Sequence, residues 1–167
     1  MNRTSLVIFV SLLVIFTFLS INSIGDLPDK IAIHFDVSGS ADSWTTREVY
    51  RVVFLICLIG FPLFLVSVMS AAPRHAKGKA QSPGHENRSA DGGQKQIEDP
   101  FWLRHACWLG ALTVVFIYGI HIVVIRANAM NPPTLAISQL LLMVFIYLAA
   151  LAWWIAVFLR HYKKQTG

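Results

Sequence analysis

Ser5–Ile24 reads SLVIFVSLLVIFTFLSINSI, twenty residues without a charged side chain. Three more such runs follow: Val52–Ala72, Ala106–Ile125 and Leu135–Leu159. Runs of about 20 to 25 apolar residues at about 1.5 Å rise per residue cross the ~30 Å hydrocarbon layer of a bilayer. Lipid offers no hydrogen-bond partners, so backbone N–H and C=O groups in these runs must pair within their own segment, which predicts helices. The expected fold class is an all-α membrane protein: four transmembrane helices with a short structured extracytoplasmic loop between the first two. A chain of 167 residues that is 55% hydrophobic, with a mean hydropathy of +0.57, leaves little sequence for a separate soluble core.

Charge sets the expected orientation. Arg3, then Arg74, Lys77, Lys79, Arg88, Lys95 and Arg104, then Arg160, Lys163 and Lys164 lie on one side of the four runs. Lys30, Arg47, Arg51 and Arg126 lie on the other. The positive-inside rule puts both termini and the middle loop in the cytoplasm. The lipid bilayer is thus the expected partner of the net +5 charge, whose inner-face share suits anionic headgroups. No nucleic-acid partner is expected, because the basic residues hug helix ends. Trp102, Trp108, Trp153, Trp154 and Tyr162 gather near the inner boundary, and Trp44 and Tyr50 near the outer one, as in an interfacial belt. Ser20-Ile21-Asn22-Ser23 lacks an A-x-A-like cleavage pattern, so the first helix is expected to be retained.

The sequence divides into residues 1–72 (first helix, outer loop, second helix), 73–99 (a flexible cytoplasmic linker) and 100–167 (a helical hairpin with a basic tail). Thr45-Thr46-Arg47-Glu48 matches a capping box with Thr45 as N-cap. Pro62, beside Gly60, is expected to kink the second helix, and Pro73 to stop it. Asp99-Pro100 suggests an N-cap followed by proline at the first helical position. Asn87-Arg88-Ser89 is a glycosylation sequon by pattern, on the cytoplasmic side by charge. Cys57 and Cys107 fall at different membrane depths, more than ~10 Å apart at helical rise, too far for a disulfide. No metal or other cofactor is expected: C-x-x-C spacing is absent, and no catalytic or phosphate-binding pattern is present.

The outer loop concentrates chemistry. Pro28 ends the first apolar run. Lys30–Asp36 alternates, with Ile31, Ile33 and Phe35 on one side, which predicts a short strand laid on the helix ends. Val37-Ser38-Gly39-Ser40 supplies a turn with Gly39 at positive φ. Asp42 and Trp44 then lead back to the membrane. His34, Asp36 and Asp42 are candidate recognition groups facing outside. Imidazole and carboxylate are also zinc ligands, but two histidines on separate elements do not make a tetrahedral set. The plainer roles are a loop hydrogen bond for His34, a turn cap for Asp42 and an interfacial seat for Trp44. His121, about five residues from Arg126, joins the candidates as the one ionisable group inside an apolar run, with Gln139 as a possible partner.

Together Leu27, Pro28, Ile31, His34, Phe35, Gly39, Asp42 and Trp44 spell L-P-x-x-I-x-x-H-F-x-x-x-G-x-x-D-x-W. This stretch resembles the signature of a bacterial membrane family of unknown function that includes immunity proteins against a sporulation-delaying toxin (SdpI-like). Ala32 and Ala41 stand where that family often carries proline, and the longer immunity proteins have more helices. The resemblance implies a bacterial cytoplasmic membrane protein; the lack of midplane charges and of a nucleophile–base pair argues against an enzyme or transporter, which leaves a protein of the immunity or sensor type as the expectation. It would recognise a peptide ligand or partner at its outer face through Pro28, His34, Asp36, Gly39, Asp42, Trp44 and His121. An accessory subunit packed against other membrane protein subunits is the alternative, and a small transporter or membrane enzyme the third.

The topology is testable in a background where Cys57 and Cys107 are replaced. A single cysteine at Ser40 or Asn131 is expected to react with an impermeant thiol reagent in intact cells, and one at Ser89 to react only after lysis. Labelling of the Ser89 position in intact cells would reverse the orientation.

Overall fold

A computed structural model describes residues 3–78 and 98–166. Its order is α1 (Thr4–Gly25), β1 (Lys30–Phe35), β2 (Ala41–Thr46), α2 (Arg47–Leu55), a π turn (Ile56–Gly60), α3 (Phe61–Gly78), α4 (Glu98–Asn128) and α5 (Ile137–Thr166). Four segments are long and apolar enough to cross a membrane: Thr4–Gly25, Arg47–Ala71, Phe101–Asn128 and Ile137–Lys163. The chain is a multi-pass membrane protein, with α2, the π turn and α3 forming one crossing. The hairpin β1–β2 and the short α4–α5 connection share one end of the bundle, and the described ends of the chain lie at the other.

α4 is the central post. It packs along α1 and α3 and supports β1, and among the described residues it is the helix on which α5 rests. Gly110 makes the closest approach possible: a Cβ there would fall 2.7 Å from Val66 Cγ2 and 2.8 Å from Phe9 Cε2. The buried cluster Phe9, Phe54, Leu58, Cys107, Ala111 and Val114 surrounds this crossing, and Ile24, Leu27 and Ile31 extend it to the hairpin. Packing of this kind, and not an aqueous hydrophobic effect, holds helices together in lipid. Three hydroxyls in the apolar runs are satisfied within their own helices: Ser20, Ser67 and Thr113 donate to the carbonyls of Phe16, Leu63 and Leu109, four residues back.

Several boundaries differ from the sequence expectation. The second crossing is capped by Thr46, whose hydroxyl accepts from Val49 N at 3.3 Å, and not by Thr45. Thr45 is held in β2 opposite Ile31, so the helix starts one residue later and Glu48 pairs with Arg51 instead. Pro62, which is fully buried, is the second residue past the π turn, and the wider turn accommodates a ring that cannot donate to the preceding carbonyls. Pro73 does not stop α3, which runs to Gly78: proline's fixed φ is already helical. α4 starts at Glu98, so Asp99 is inside the helix and is not its N-cap. Most of the expected linker, including the Asn87 sequon, lies outside the described residues. Cys57 and Cys107 are both free thiols.

The loop is more ordered than a single strand. β1 pairs antiparallel with β2, placing Lys30 opposite Thr46, Ile31 opposite Thr45 and Ala32 opposite Trp44. The register is irregular between Ala32 and His34 and again between His34 and Phe35. These irregularities break the expected alternation. Ile31 and Ala32 are both buried, and Ile33 turns outward, 47% exposed.

Candidate functional site

The hairpin is held by three grips, and each uses a polar group that would otherwise face lipid headgroups or solvent. At its root, Arg47 Nη1 donates to the carbonyls of Leu27 at 2.8 Å and Gly25 at 3.2 Å, while Nη2 meets Asp29 Oδ1 at 2.8 Å. The backbone N–H of Arg47 donates to Asp29 O at 2.9 Å. This closes the C-terminal end of α1, where the last carbonyls lack helical partners, and fixes the turn that Pro28 stiffens. In the middle, the Asn128 side chain at the end of α4 binds Ala32 on both sides. Ala32 N donates to Asn128 Oδ1 at 2.8 Å, and Asn128 Nδ2 donates to Ala32 O at 3.0 Å and Val124 O at 2.9 Å. A proline at 32, common in the resembling signature, would lack that N–H.

At its tip the hairpin is sewn to the α4–α5 connection. Leu135 N donates to Gly39 O at 2.8 Å, and Ser40 bridges to Thr134. Gly39 has φ +88°, as the turn pattern predicted, and a Cβ on it would lie 2.4 Å from Leu135 O. Asp36 shapes the same turn. Its Oδ1 accepts from Ser38 N at 2.8 Å, Ser38 Oγ at 2.6 Å and Ser40 N at 2.9 Å. The Ser38 hydroxyl first, and then the Ser40 amide, hold the Asp36 carboxyl below its ordinary range. A depressed folded pKa stabilises the turn above the unfolded value, and that contribution is lost as pH falls through the folded one.

The candidate residues therefore divide by role. Pro28, Asp36 and Gly39 build the hairpin. His34 and Asp42 link the two strands to each other but not the hairpin to the bundle: His34 Nδ1 meets Asp42 Oδ1 across the strands, with side chains 70% and 46% exposed. Trp44, two residues on in β2, is 47% exposed. Val37 at the tip is 98% exposed. These four leave a rigid surface with an ionisable pair and apolar groups turned outward.

His121 belongs elsewhere. It is fully buried and shares no hydrogen-bond partner with His34. Gln139 is exposed and is not its partner; the partners are Ser23 on α1, at 2.9 Å from Nε2, and Tyr50 on α2, at 2.7 Å from Nδ1. Phe54 stacks on the ring with centroids 4.4 Å apart. Ser23 Oγ also donates to Ser20 O at 3.2 Å. One donor assignment satisfies the whole chain: Tyr50 O–H to Nδ1, Nε2–H to Ser23 Oγ, Ser23 O–H to Ser20 O. The Ser23 proton is then aimed at its own helix and away from the imidazole, the reverse of a serine nucleophile poised on a base. The network is a joint between α1, α2 and α4.

Sequence reasoning missed Arg47, Asn128, Ser23 and Tyr50. Arg47 carried a usable signal, as a cation beside the exposed end of α1. Asn128 lies 96 residues from Ala32 and offered none. Among the described residues, no group of three or more His, Cys, Asp or Glu is gathered at metal-binding spacing.

Comparison with known proteins adds one finding. A family model described as a domain of unknown function (DUF1648) matches residues 8–61, which takes in most of α1, the hairpin, α2 and the π turn. No curated protein matches the chain, and neither does any solved structure.

The grips predict an order of effects on thermal stability in detergent. Asn128→Ala leaves both backbone groups of Ala32 unpaired and is expected to cost about 1–3 kcal/mol. Gly39→Ala, strained by its φ and by the Leu135 carbonyl, is expected to cost at least as much, whereas Val37→Ala should fall within about 0.5 kcal/mol of wild type. Equal melting temperatures for all three variants would refute a docked hairpin.

Proposed function

We propose that the protein is a non-enzymatic membrane protein of the immunity or sensor type, which recognises a peptide ligand or partner through the outward face of its hairpin. The hairpin end is taken as extracytoplasmic and the termini as cytoplasmic, on the uneven distribution of Lys and Arg. A bacterial cytoplasmic membrane and a kinship with toxin-immunity proteins rest on the motif from Leu27 to Trp44.

One observation carries this reading. His34 and Asp42 form an exposed pair that contributes nothing to the three grips holding the hairpin. Loops that serve recognition are presented by a rigid scaffold, and here the exposed pair is not needed to fasten the hairpin to that scaffold. An imidazole, a carboxylate and the exposed Trp44 ring offer charge-assisted hydrogen bonds beside an apolar contact, which suits a peptide or an extracytoplasmic segment of another protein. The Ser23–His121 contact does not favour hydrolysis, because His121 is buried and the amides near Ser23 are spent within α1. The accessory-subunit reading has one feature in its favour: among the described residues α4 is the one helix that α5 packs against, leaving Leu141, Leu142, Phe145 and Ile146 exposed for lipid or a neighbouring helix.

A photo-crosslinking residue at Val37 tests the proposal in intact cells. A discrete adduct is expected, reduced roughly tenfold or more by His34→Ala and Asp42→Ala, the cost of a hydrogen bond to a charged group, with membrane abundance unchanged. An adduct unaffected by both substitutions, or lost only in step with protein abundance, would overturn recognition through this face. A stoichiometric membrane partner that survives both substitutions would support the accessory-subunit reading in its place.

A further inference from the structure

The end of the bundle opposite the hairpin holds a cavity of about 570 Å³ between α4 and α5. Arg104 and Trp108 line it from α4, and Trp153, Trp154 and His161 from α5, with His105 in the wall. Each set recurs every three or four residues, so the cavity follows facing stripes of two antiparallel helices. Leu112 and Ala150 line its inner part. Eight residues of helix separate Arg104 from Leu112, a depth of roughly 12 Å. The result is a cationic mouth at the tryptophan belt above an apolar shaft.

Among the described residues the mouth lacks an anion. The ion pairs among the described residues are all at the hairpin end, and no carboxylate lines the cavity. His161 Nδ1 lies 2.9 Å from Val157 O. A carbonyl can only accept, so Nδ1 carries the proton and Nε2 is left for another partner. His105 is 5% exposed, and its Nε2 has no hydrogen-bond partner among the described residues. The Trp154 indole donates to His105 O at 3.2 Å and fixes the wall between the helices.

We propose that this cavity binds one anionic glycerophospholipid, with its phosphate at Arg104, a headgroup hydroxyl donating to His161 Nε2, and the upper part of an acyl chain along Leu112 and Ala150. Arginine pairs with phosphate through two parallel N–H donors, and the tryptophans set the site at headgroup depth. The basic end of the chain concentrates anionic lipid around it. Charge complementarity selects this occupant over a zwitterionic lipid, whose choline Arg104 would repel.

The full-length protein in uncharged detergent provides the test, by thermal melting with phosphatidylglycerol, phosphatidylcholine of the same chains, or inorganic phosphate. Phosphatidylglycerol is expected to raise the melting temperature more than phosphatidylcholine does, and phosphate alone to leave it unchanged. Arg104→Gln and His161→Ala are each expected to weaken the apparent affinity for phosphatidylglycerol roughly tenfold. Arg160→Gln removes the same charge one residue outside the cavity lining and should keep the preference. Equal response to the two lipids, stabilisation by phosphate alone, or an equal loss in Arg160→Gln would overturn the assignment.

Discussion

A chain that leaves a membrane helix must find partners for its backbone groups at once, and in this protein the Asn128 amide answers that constraint for the hairpin. Asn128 ends α4, the helix on which the rest of the bundle packs, and its amide grips Ala32 through both backbone groups. The position of β1 is thereby tied to the same post that crosses α1 and α3 at Gly110. Arg47 repeats the solution at the root of the hairpin, and the backbone of Gly39 and Leu135 repeats it at the tip. Each grip uses a different donor chemistry, and none uses His34 or Asp42.

This division of labour shapes the functional reading. Residues that fold the hairpin point inward or along the turn, while the exposed pair is left to face whatever approaches. The matched family region, residues 8–61, contains the whole hairpin but neither Asn128 nor Leu135. The recognised module thus leans on helices beyond its own limits. The two ends of the bundle also differ in chemistry: a structured polar hairpin caps one, and an aromatic cavity with an arginine at its mouth opens at the other.

What the sequence made legible follows from the range of each interaction. Charge-free runs reveal membrane helices because the signal is local and repeated over twenty residues. Gly39 at positive φ was readable from its turn neighbours, and β1 from its alternation. That alternation misplaced Ile33, because the register is irregular past Ala32, the residue that docks on Asn128, 96 residues away. The capping-box pattern put the cap at Thr45, whereas pairing with Ile31 holds that residue in β2 and leaves the cap to Thr46. For His121, depth alone suggested Gln139, whereas the helix packing supplies Ser23 and Tyr50. Contacts between distant segments leave no periodic trace in a single sequence.

Hydrogen exchange of the reconstituted protein tests the docked hairpin most directly. The amides of Ala32 and Leu135, which donate to Asn128 Oδ1 and Gly39 O, are predicted to exchange on the order of a hundredfold or more slowly than unstructured amides. Their protection should fall together in Asn128→Ala. Exchange of both at unstructured rates in the wild-type protein would mean that the hairpin is not fastened to the bundle.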